Sequence, residues 1–554
     1  MAIRKQHLLN RHWYLHLALL VWAVCVVSVL WLFLDTKKAQ ALSIQELSEL
    51  SRRFITKITL TTRHHHPEHI KDIIYGHSKV GYFKAQSWYA SGNKSLTLEY
   101  VSPSYQVPIE FYAVTNQGQY VRLGQKLNSS PVPQIFYNNQ VKITYGKLTN
   151  PFYLLGGALP RKSLIDPNFN SRNPELFHKN HHRFTYLMIV NRLGEIVWLH
   201  VPVIDGALFS SYLSPKEVGQ GFYGIMFGKH SGYFEIVKYS GDVEREFSSK
   251  DVKVPFVMHH DYETMGAKRL FAVGNERKSL YQFTKNPADK GKNFISDTII
   301  GIDLIKGEYH KLMSFTKYFH PGITPYITGD PVDDKKFVIW GESKADFDFL
   351  HINSVSYIDQ WDGVLVSFRN ISKIGFIDSK FSKLLWTLGS DKTDHYHITN
   401  PADQFRHQHT PVVTSQNTIM VFDNGITAKR SRVVEYLLDK NNTKMIWQFN
   451  PEPPLFSKDR SSIYLLAGGH VGVFFVKPLE QMQKRASQPH RDIYMEVDRQ
   501  TRQPVGVMTI TYPVSSPGYR MIPLTSISDD LQTRGPRRRP RTLHSHSARN
   551  LLSE

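Results

Sequence analysis

The chain has 554 residues, a formal net charge of +20 and one cysteine, Cys25. That length leaves room for more than one domain and for a core that needs no covalent staples, while a lone thiol excludes an intramolecular disulfide and a thiolate metal site. The positive charge suggests nucleic acid. Part of it, however, sits in a terminal stretch with Arg534, Arg537, Arg538, Arg539, Arg541 and Arg549, and no recognition helix, zinc knuckle or aromatic RNA-binding motif accompanies it. A basic, solvated tail near an anionic membrane, disordered over 526–554, is expected instead, with no nucleic-acid partner.

The N-terminus decides the compartment. Trp13 to Leu34 reads WYLHLALLVWAVCVVSVLWLFL without an acidic or basic residue except a histidine that can be neutral. At about 1.5 Å per residue such a run crosses a hydrocarbon core of about 30 Å, whereas a signal-peptide core is usually shorter. Arg4, Lys5 and Arg11 precede it and Asp35, Lys37 and Lys38 follow, so a cytoplasmic N-terminus and an exported body are expected. Cleavage after Ala39-Gln40-Ala41 is the alternative to an uncleaved, single-pass inner-membrane anchor over 1–36 with the body in the periplasm.

Ile44 to Ile55 has a helical period and predicts a short stalk helix. Strands dominate from there. Lys57–Thr62 and Ser95–Val101 alternate apolar and polar residues, and Glu110–Thr115 runs through an Asn116-Gln117-Gly118 turn into a further strand. The region 37–165 therefore reads as a stalk with a small antiparallel β domain.

From 166 to 525 one pattern recurs. An apolar strand with an acidic or polar residue enters a turn and then a second strand that often carries tryptophan. The copies are Tyr186–Val201, Tyr233–Phe247, Ile300–Met313, Ile374–Gly389, Val433–Phe449 and Ile493–Met508. A lone hairpin cannot bury both faces, so six spaced copies predict an all-β chain with a six-bladed β-propeller. Unrelated hairpins in a sandwich are the alternative.

No P-loop, dinucleotide fingerprint, GxSxG or HExxH occurs. Histidines stand instead in short segments between the hairpins, which a propeller gathers at one mouth. Val257-Met258-His259-His260-Asp261 is the first segment. Then follow His351-Ile352-Asn353-Ser354 with Ser367-Phe368-Arg369-Asn370, and Gln408-His409-Thr410 with Phe422-Asp423-Asn424-Gly425 and Ser431-Arg432-Val433-Val434-Glu435-Tyr436. In this order and spacing these segments resemble the bacterial arylsulfate sulfotransferase family, and Gly518–Leu524 resembles its closing strand.

The resemblance implies transfer of a sulfuryl group from a phenolic sulfate donor to a phenol acceptor, without a nucleotide donor or other cofactor, by a ping-pong route through a sulfated histidine. It also implies the roles of single residues. His409 corresponds to the nucleophile, and His351 and Arg369 to sulfuryl-binding residues that complete the catalytic set. An upstream catalytic histidine falls on His259 or His260; the distance to the Gly266 turn favours His259. Asn353 and His260 are the expected substrate-binding residues, and no metal is expected. Two departures stand out. Ser390–His407 holds no cysteine, so no disulfide-dependent maturation is expected. The N-terminal domain matches poorly, which leaves a homodimer open.

The chemistry is coherent without the family. Neutral imidazole is a competent nucleophile at pH 7 and splits one displacement into two. A guanidinium grips the oxygens of an in-line transferring group, and a second histidine can give a proton to the departing phenolate. Two other readings stay open: a non-catalytic propeller that binds a glycan or protein, and a sulfate-ester hydrolase using the same pocket. Duller readings attach to single residues. Arg369 can be an inter-blade salt bridge, Asp423-Asn424-Gly425 a hairpin turn, and His64–His69, His181-His182 and His395–His397 ordinary surface groups.

Overall fold

The computed structural model describes residues 55–61, 69–77, 81–85, 87–92, 95–101, 109–126, 140–160, 183–200, 203–204, 207–208, 213–219, 222–227, 233–238, 243–248, 257–265, 269–303, 306, 308–321, 324, 347–440, 443–478, 490–512 and 518–525. It divides into two compact units, 1–50 with Val203–Ala207 and Ser51–Pro202 with Leu208–Glu554; the sheets below belong to the second. The all-β expectation holds, and among the described residues the one α-helix is the single turn Leu280–Thr284. The apolar run Trp13–Leu34, the predicted stalk helix up to Phe54 and the basic tail lie outside the described residues. Among the described residues no helix is long and apolar enough to cross a membrane.

In the region read as a small β domain the chain forms two small antiparallel sheets. One has the order Ile55–Thr61, Ser95–Val101, Ser87–Gly92, and the other Gly81–Lys84, Ile70–His77, Ile109–Thr115, Tyr120–Lys126. The predicted turn at Asn116–Gly118 joins the last two, and Gly118 takes the left-handed φ of 77° that a side chain resists.

Six further sheets of four or more strands follow among the described residues. Sheet I has the order Ile196–His200, Arg183–Asn191, Phe152–Pro160, Met521–Leu524. Sheet II runs Leu213–Gly219, Phe222–Phe227, Tyr233–Lys238, Val243–Ser248, and sheet III runs Val257–Met265, Arg269–Ser279, Asn293–Asp303, Glu308–Ser314. Sheet IV runs Ile352–Ile358, Gly363–Phe368, Lys373–Asp378, Leu384–Gly389. Sheet V runs His409–Ser415, Thr418–Asp423, Arg432–Leu437, Lys444–Phe449. Sheet VI runs Ser462–Leu466, His470–Phe475, His490–Asp498, Pro504–Tyr512 and ends on Gln140–Gly146. Every repeat found in the sequence is a hairpin of one of these sheets, at the edge in I, II, III and V, and flanked by the short Tyr396–His397 in IV and by Gln140–Gly146 in VI.

Burial explains why these hairpins were the visible ones. In Pro504–Tyr512 buried residues alternate with half-exposed ones, the mark of a strand with one wet face. Gly363–Phe368 and Thr418–Asp423 are buried at every position, so they read as unbroken apolar runs without a period. Apolar clusters fill the space between consecutive sheets. Phe234 and Ile236 pack with Met258 and Ile302 across II and III, Phe271 and Val273 with Val355 and Phe368 across III and IV. Leu365 and Phe376 meet Val421 and Tyr436 across IV and V, and Phe422 and Val433 meet Val471 and Phe475 across V and VI. The first strands of sheets II to VI touch in succession, that of VI touches Met521–Leu524, and Phe152–Pro160 touches the first strand of II.

One boundary needs correction. The sequence reading assigns everything up to 165 to the N-terminal domain, yet Gln140–Gly146 is hydrogen-bonded along Pro504–Tyr512 and Phe152–Pro160 along Met521–Leu524. Between these two strands, Glu496 accepts the backbone and hydroxyl of Thr149, both at 2.7 Å, and the Tyr153 hydroxyl at 2.6 Å. Burial and then Glu496 itself push the Tyr153 phenol far above its ordinary value, so it stays a donor. Partners more than 340 residues away decide this boundary, and no local pattern announces them.

Candidate active site

In sheets III to VI the first hairpin has its open end on the same edge, where the first strand begins and the second one ends. The chemistry-bearing residues sit there. His259, His260 and Asp261 occupy a bulge between Met258 and Tyr262, His351 immediately precedes Ile352, and His409 opens its own strand just before a register shift. Arg369 and Asn370 leave the second strand of sheet IV, and Asn424 that of sheet V. Bulges re-aim side chains at such places. The backbone is also held in an unfavourable form: His260, His351, His407, Thr410, Arg460 and Ser461 all have φ between 45° and 79°. Each left-handed residue costs about 1–2 kcal/mol, an expense concentrated where side chains must be aimed.

His409 is buried and its tautomer is fixed. Asn424 donates its amide hydrogens to the carbonyls of Ser457 at 2.8 Å and Arg460 at 3.3 Å, which turns its oxygen toward His409 Nδ1 at 2.6 Å. An amide oxygen only accepts, so Nδ1 carries the hydrogen and Nε2 the lone pair. Nε2 accepts the Arg460 N–H at 3.2 Å. Burial, then the Arg369 guanidinium, lower the His409 pKa to about 3 against the pull of Asn424. The imidazole is therefore neutral at physiological pH. The hairpin turn expected at Asp423-Asn424-Gly425 lies just downstream, at 426–429: Asp423 closes its strand, Gly425 leaves it at φ 63°, and Asn424 orients the candidate nucleophile.

Arg369 is buried beside this histidine. Its guanidinium donates to Asn370 Oδ1 at 2.7 Å, and Asn370 donates in turn to the Asp348 carbonyl at 2.8 Å. The plane of the guanidinium is thus set from sheet IV. The backbone N–H of Arg369 bonds the His351 carbonyl at 3.2 Å, which ties the two predicted sulfuryl-binding residues together. Asn353 donates to the Gln408 carbonyl at 2.7 Å, joining the segment of His351 to that of His409.

The upstream histidines form a chain. His259 Nε2 lies 3.1 Å from Asp297 Oδ1, and its Nδ1 lies 2.5 Å from His260 Nδ1. His260 Nε2 is 3.1 Å from His351 Nε2, and His351 Nδ1 is 2.5 Å from Asp348 Oδ2. His259, favoured from the sequence, stands behind His260, which is the residue that reaches His351. Both predicted candidates, His351, Arg369, Asn353 and His409 are therefore brought into one neighbourhood.

Several partners went unnoticed in the sequence. Asp297 and Asp348 cap the histidine chain. Arg520 pairs with Asp261 at 2.8 Å and donates to the Asn353 carbonyl at 3.3 Å, while the Tyr519 ring lies 5.9 Å from His260. Burial alone would raise the Asp261 carboxyl, but Arg520 and then Lys216 hold it below its usual range. Asp459 keeps half its side chain exposed, although protein surrounds it closely enough for burial to push its carboxyl up. Arg460, then Arg369 and Lys477, outweigh that push. A usable signal existed: Asp297 and Asp348 are acids in largely apolar runs, where an unpartnered charge is costly. Among the described residues no group of three or more His, Cys, Asp or Glu is arranged to hold a metal ion.

The family model described as Arylsulfotransferase (ASST) matches residues 139–520, the stretch that begins with the two early strands of sheets VI and I. No curated protein matches the chain. Among solved structures, a protein of unknown function from Bacteroides caccae is similar at 11% identity, with a TM-score of 0.37 over 67% of this chain and 98% of that one. A putative 6-phosphogluconolactonase from Bacteroides fragilis aligns at 11% identity and a TM-score of 0.32 over 64% and 81%. The β-propeller domain of the Trilobed protease from Pyrococcus furiosus aligns at 10% and 0.25 over 53% and 71%. These likenesses are too slight to bear on function.

Proposed function

The chain belongs to the arylsulfotransferase family, and from that premise we propose that it moves a sulfuryl group from a phenolic sulfate ester to a phenol through a sulfated His409. One observation carries the proposal: a neutral imidazole whose tautomer is fixed with the lone pair on Nε2, beside a buried guanidinium. In the first half-reaction Nε2 bonds to sulfur, the bond from sulfur to the aryl oxygen breaks, and the phenolate departs with the electron pair. Arg369 holds sulfuryl oxygens, and its fork is aimed in advance by Asn370. As Nε2 bonds sulfur, its hydrogen bond from the Arg460 N–H is given up, and that donor then faces a sulfuryl oxygen. In the second half-reaction the acceptor oxygen bonds sulfur and the pair returns to Nε2. No nucleotide donor takes part.

The scaffold of this site is a six-bladed propeller. Supporting this are the six successive sheets, the apolar clusters between them, the succession of touching first strands, and the two sheets completed by strands from opposite ends of the matched region. The N-terminal apolar run anchors the chain in the inner membrane, with the catalytic part in the periplasm. A reporter fused after Thr525 should be active only in its exported form, and a working cytoplasm-only reporter there would refute this topology.

The activity test is incubation with 4-nitrophenyl sulfate, with and without phenol. Nitrophenol release that depends on phenol, with phenyl sulfate accumulating, supports transfer. Release at the same rate without phenol makes the protein a hydrolase, and no release sinks the reading.

A further inference from the structure

The four contacts of the histidine chain can be counted in protons. Each end contact, His259 Nε2 to Asp297 and His351 Nδ1 to Asp348, needs one hydrogen between nitrogen and carboxylate. Each middle contact, His259 Nδ1 to His260 Nδ1 and His260 Nε2 to His351 Nε2, also needs one. Two facing lone pairs repel and two facing N–H groups collide. Four contacts hold four protons, whereas three neutral imidazoles bring three.

We propose that Asp297 and Asp348 are positioning residues that anchor a chain, Asp297–His259–His260–His351–Asp348, storing one proton beyond three neutral imidazoles, which is lent to the departing phenolate. This rests on the transfer reading above. The stored charge is favourable because two carboxylates cap the chain and each stabilises an imidazolium next to it. Burial also pushes the Asp297 carboxyl up, against the pull of His259, which strengthens the hold on the fourth proton. The neighbouring charges do not replace it: Arg520 is paired with Asp261, Lys216 lies 2.7 Å from Glu263, and Arg369 is bonded to Asn370. Tyr519 supplies a ring edge to His260.

The chain has a closed end and an open one. The side chains of His259 and Asp297 are 6% and 1% exposed, against 17% and 10% for His351 and Asp348. Of the two middle contacts the one at the open end is the longer, 3.1 Å against 2.5 Å, and an incoming aryl oxygen competes there most easily. As the bond from sulfur to the aryl oxygen breaks, an N–H of His260 or His351 passes its proton to the phenolate. The three imidazoles are then neutral. The acceptor phenol refills the chain when its O–H proton enters as its oxygen bonds sulfur.

The test compares Asp348→Asn and Asp297→Asn with wild type on a series of aryl sulfates of rising phenol pKa. Loss of a stored general acid should cost on the order of 100-fold or more in kcat/KM for phenyl sulfate but less than about fivefold for 4-nitrophenyl sulfate, whose phenolate needs little help. Asp348→Glu should recover part of the loss. Equal losses for both donors mean a merely structural role and overturn the relay. A second readout does not need turnover. With 15N-histidine labelling, proton NMR of the resting protein should count one more hydrogen-bonded imidazole proton in wild type than in Asp348→Asn, and equal counts overturn the stored proton. If wild type turns over no aryl sulfate, the transfer reading fails and the proton count still stands or falls on the spectra.

Discussion

Sheets IV and V carry the same furniture at the same place and give it opposite electrical surroundings. Each has a histidine at the open end of its first hairpin, His351 just before its strand or His409 opening its own, and a polar pair where the second strand ends, Arg369-Asn370 or Asp423-Asn424. The Nδ1 of His351 meets a carboxylate at 2.5 Å, and that of His409 meets an amide oxygen at 2.6 Å. A carboxylate stabilises an added proton on its imidazole. An amide fixes the tautomer without doing so, and burial with Arg369 nearby then keeps His409 neutral. Two histidines at the same end of neighbouring sheets are thus suited to the two proposed roles, proton holder and nucleophile, through one oxygen-bearing partner each.

The most drastic way to break this comparison is to remove the proposed nucleophile. His409→Ala or His409→Asn should abolish phenol release and transfer, a loss on the order of 10⁴-fold or more, since no covalent intermediate can form. Wild type quenched after exposure to donor alone should carry one acid-labile, alkali-stable sulfuryl group on the peptide with Gln408-His409-Thr410. Full transfer by His409→Ala rules out the assignment, and a label elsewhere moves the nucleophile while keeping the reaction class.

Exchanging the partners sharpens it. Asn424→Asp gives His409 the kind of neighbour His351 has, so its pKa should rise and activity should fall at acid pH and recover as pH rises through the new value. The substitution also turns an oxygen toward the Ser457 and Arg460 carbonyls, now bonded by the amide hydrogens, at a stability cost of about 1–3 kcal/mol. Asn424→Ala separates the two effects. It loses the fixed tautomer and should lower kcat about 10²–10³-fold with no recovery at high pH. A rate unchanged in both variants would show that Asn424 does not orient His409. Arg369→Lys comes next, with a loss of about 100-fold, because an ammonium cannot reproduce the planar two-point grip; a silent Arg369→Lys would remove Arg369 from the site.

How much of this was legible follows from the same contrast. The repeated hairpins show in the sequence because burial alternates along their strands, as in Pro504–Tyr512, and strands such as Gly363–Phe368 do not because every position is buried. The strands Gln140–Gly146 and Phe152–Pro160 were assigned to the wrong region since their partners come from the far end of the chain. In the site, His351, Arg369 and His409 lie in recognisable segments. Asn424 reads as a turn residue and stands just before the turn at 426–429; its role depends on which ring its amide oxygen faces. Asp297 and Asp348 belong to no motif, and only their places in largely apolar runs, NFISDTIIG and FDFL, set them apart. Between His259 and His260 a turn distance cannot decide, because the bulge that begins at Met258 lets both rings join the same chain.

The smallest expected effect is on stability, and it tests the neutral state of His409 without any substrate. The unfolded chain binds a proton on this histidine as pH falls below its ordinary value of 6.5, whereas the folded chain does not until about 3. Stability from this group is therefore complete above pH 6.5 and is lost as pH falls toward 3, by roughly 1.4 kcal/mol per pH unit. Asp492 works the other way. Burial pushes its carboxyl up to about 6 from 3.8, so the folded chain holds that proton more tightly and its contribution fades as pH rises between those values. The two slopes oppose each other near pH 5, and the raw stability of wild type hides both. The difference between wild type and His409→Gln isolates the histidine, since Asp492 is common to the two. Urea unfolding at pH 6.5 and 4.5 should show wild type losing roughly 2–3 kcal/mol more than His409→Gln over that interval. Equal losses would mean that His409 takes up its proton in the folded protein as readily as in the unfolded one. In that case the amide of Asn424 and the charge of Arg369 do not keep it neutral, and the contrast between sheets IV and V has no electrical content.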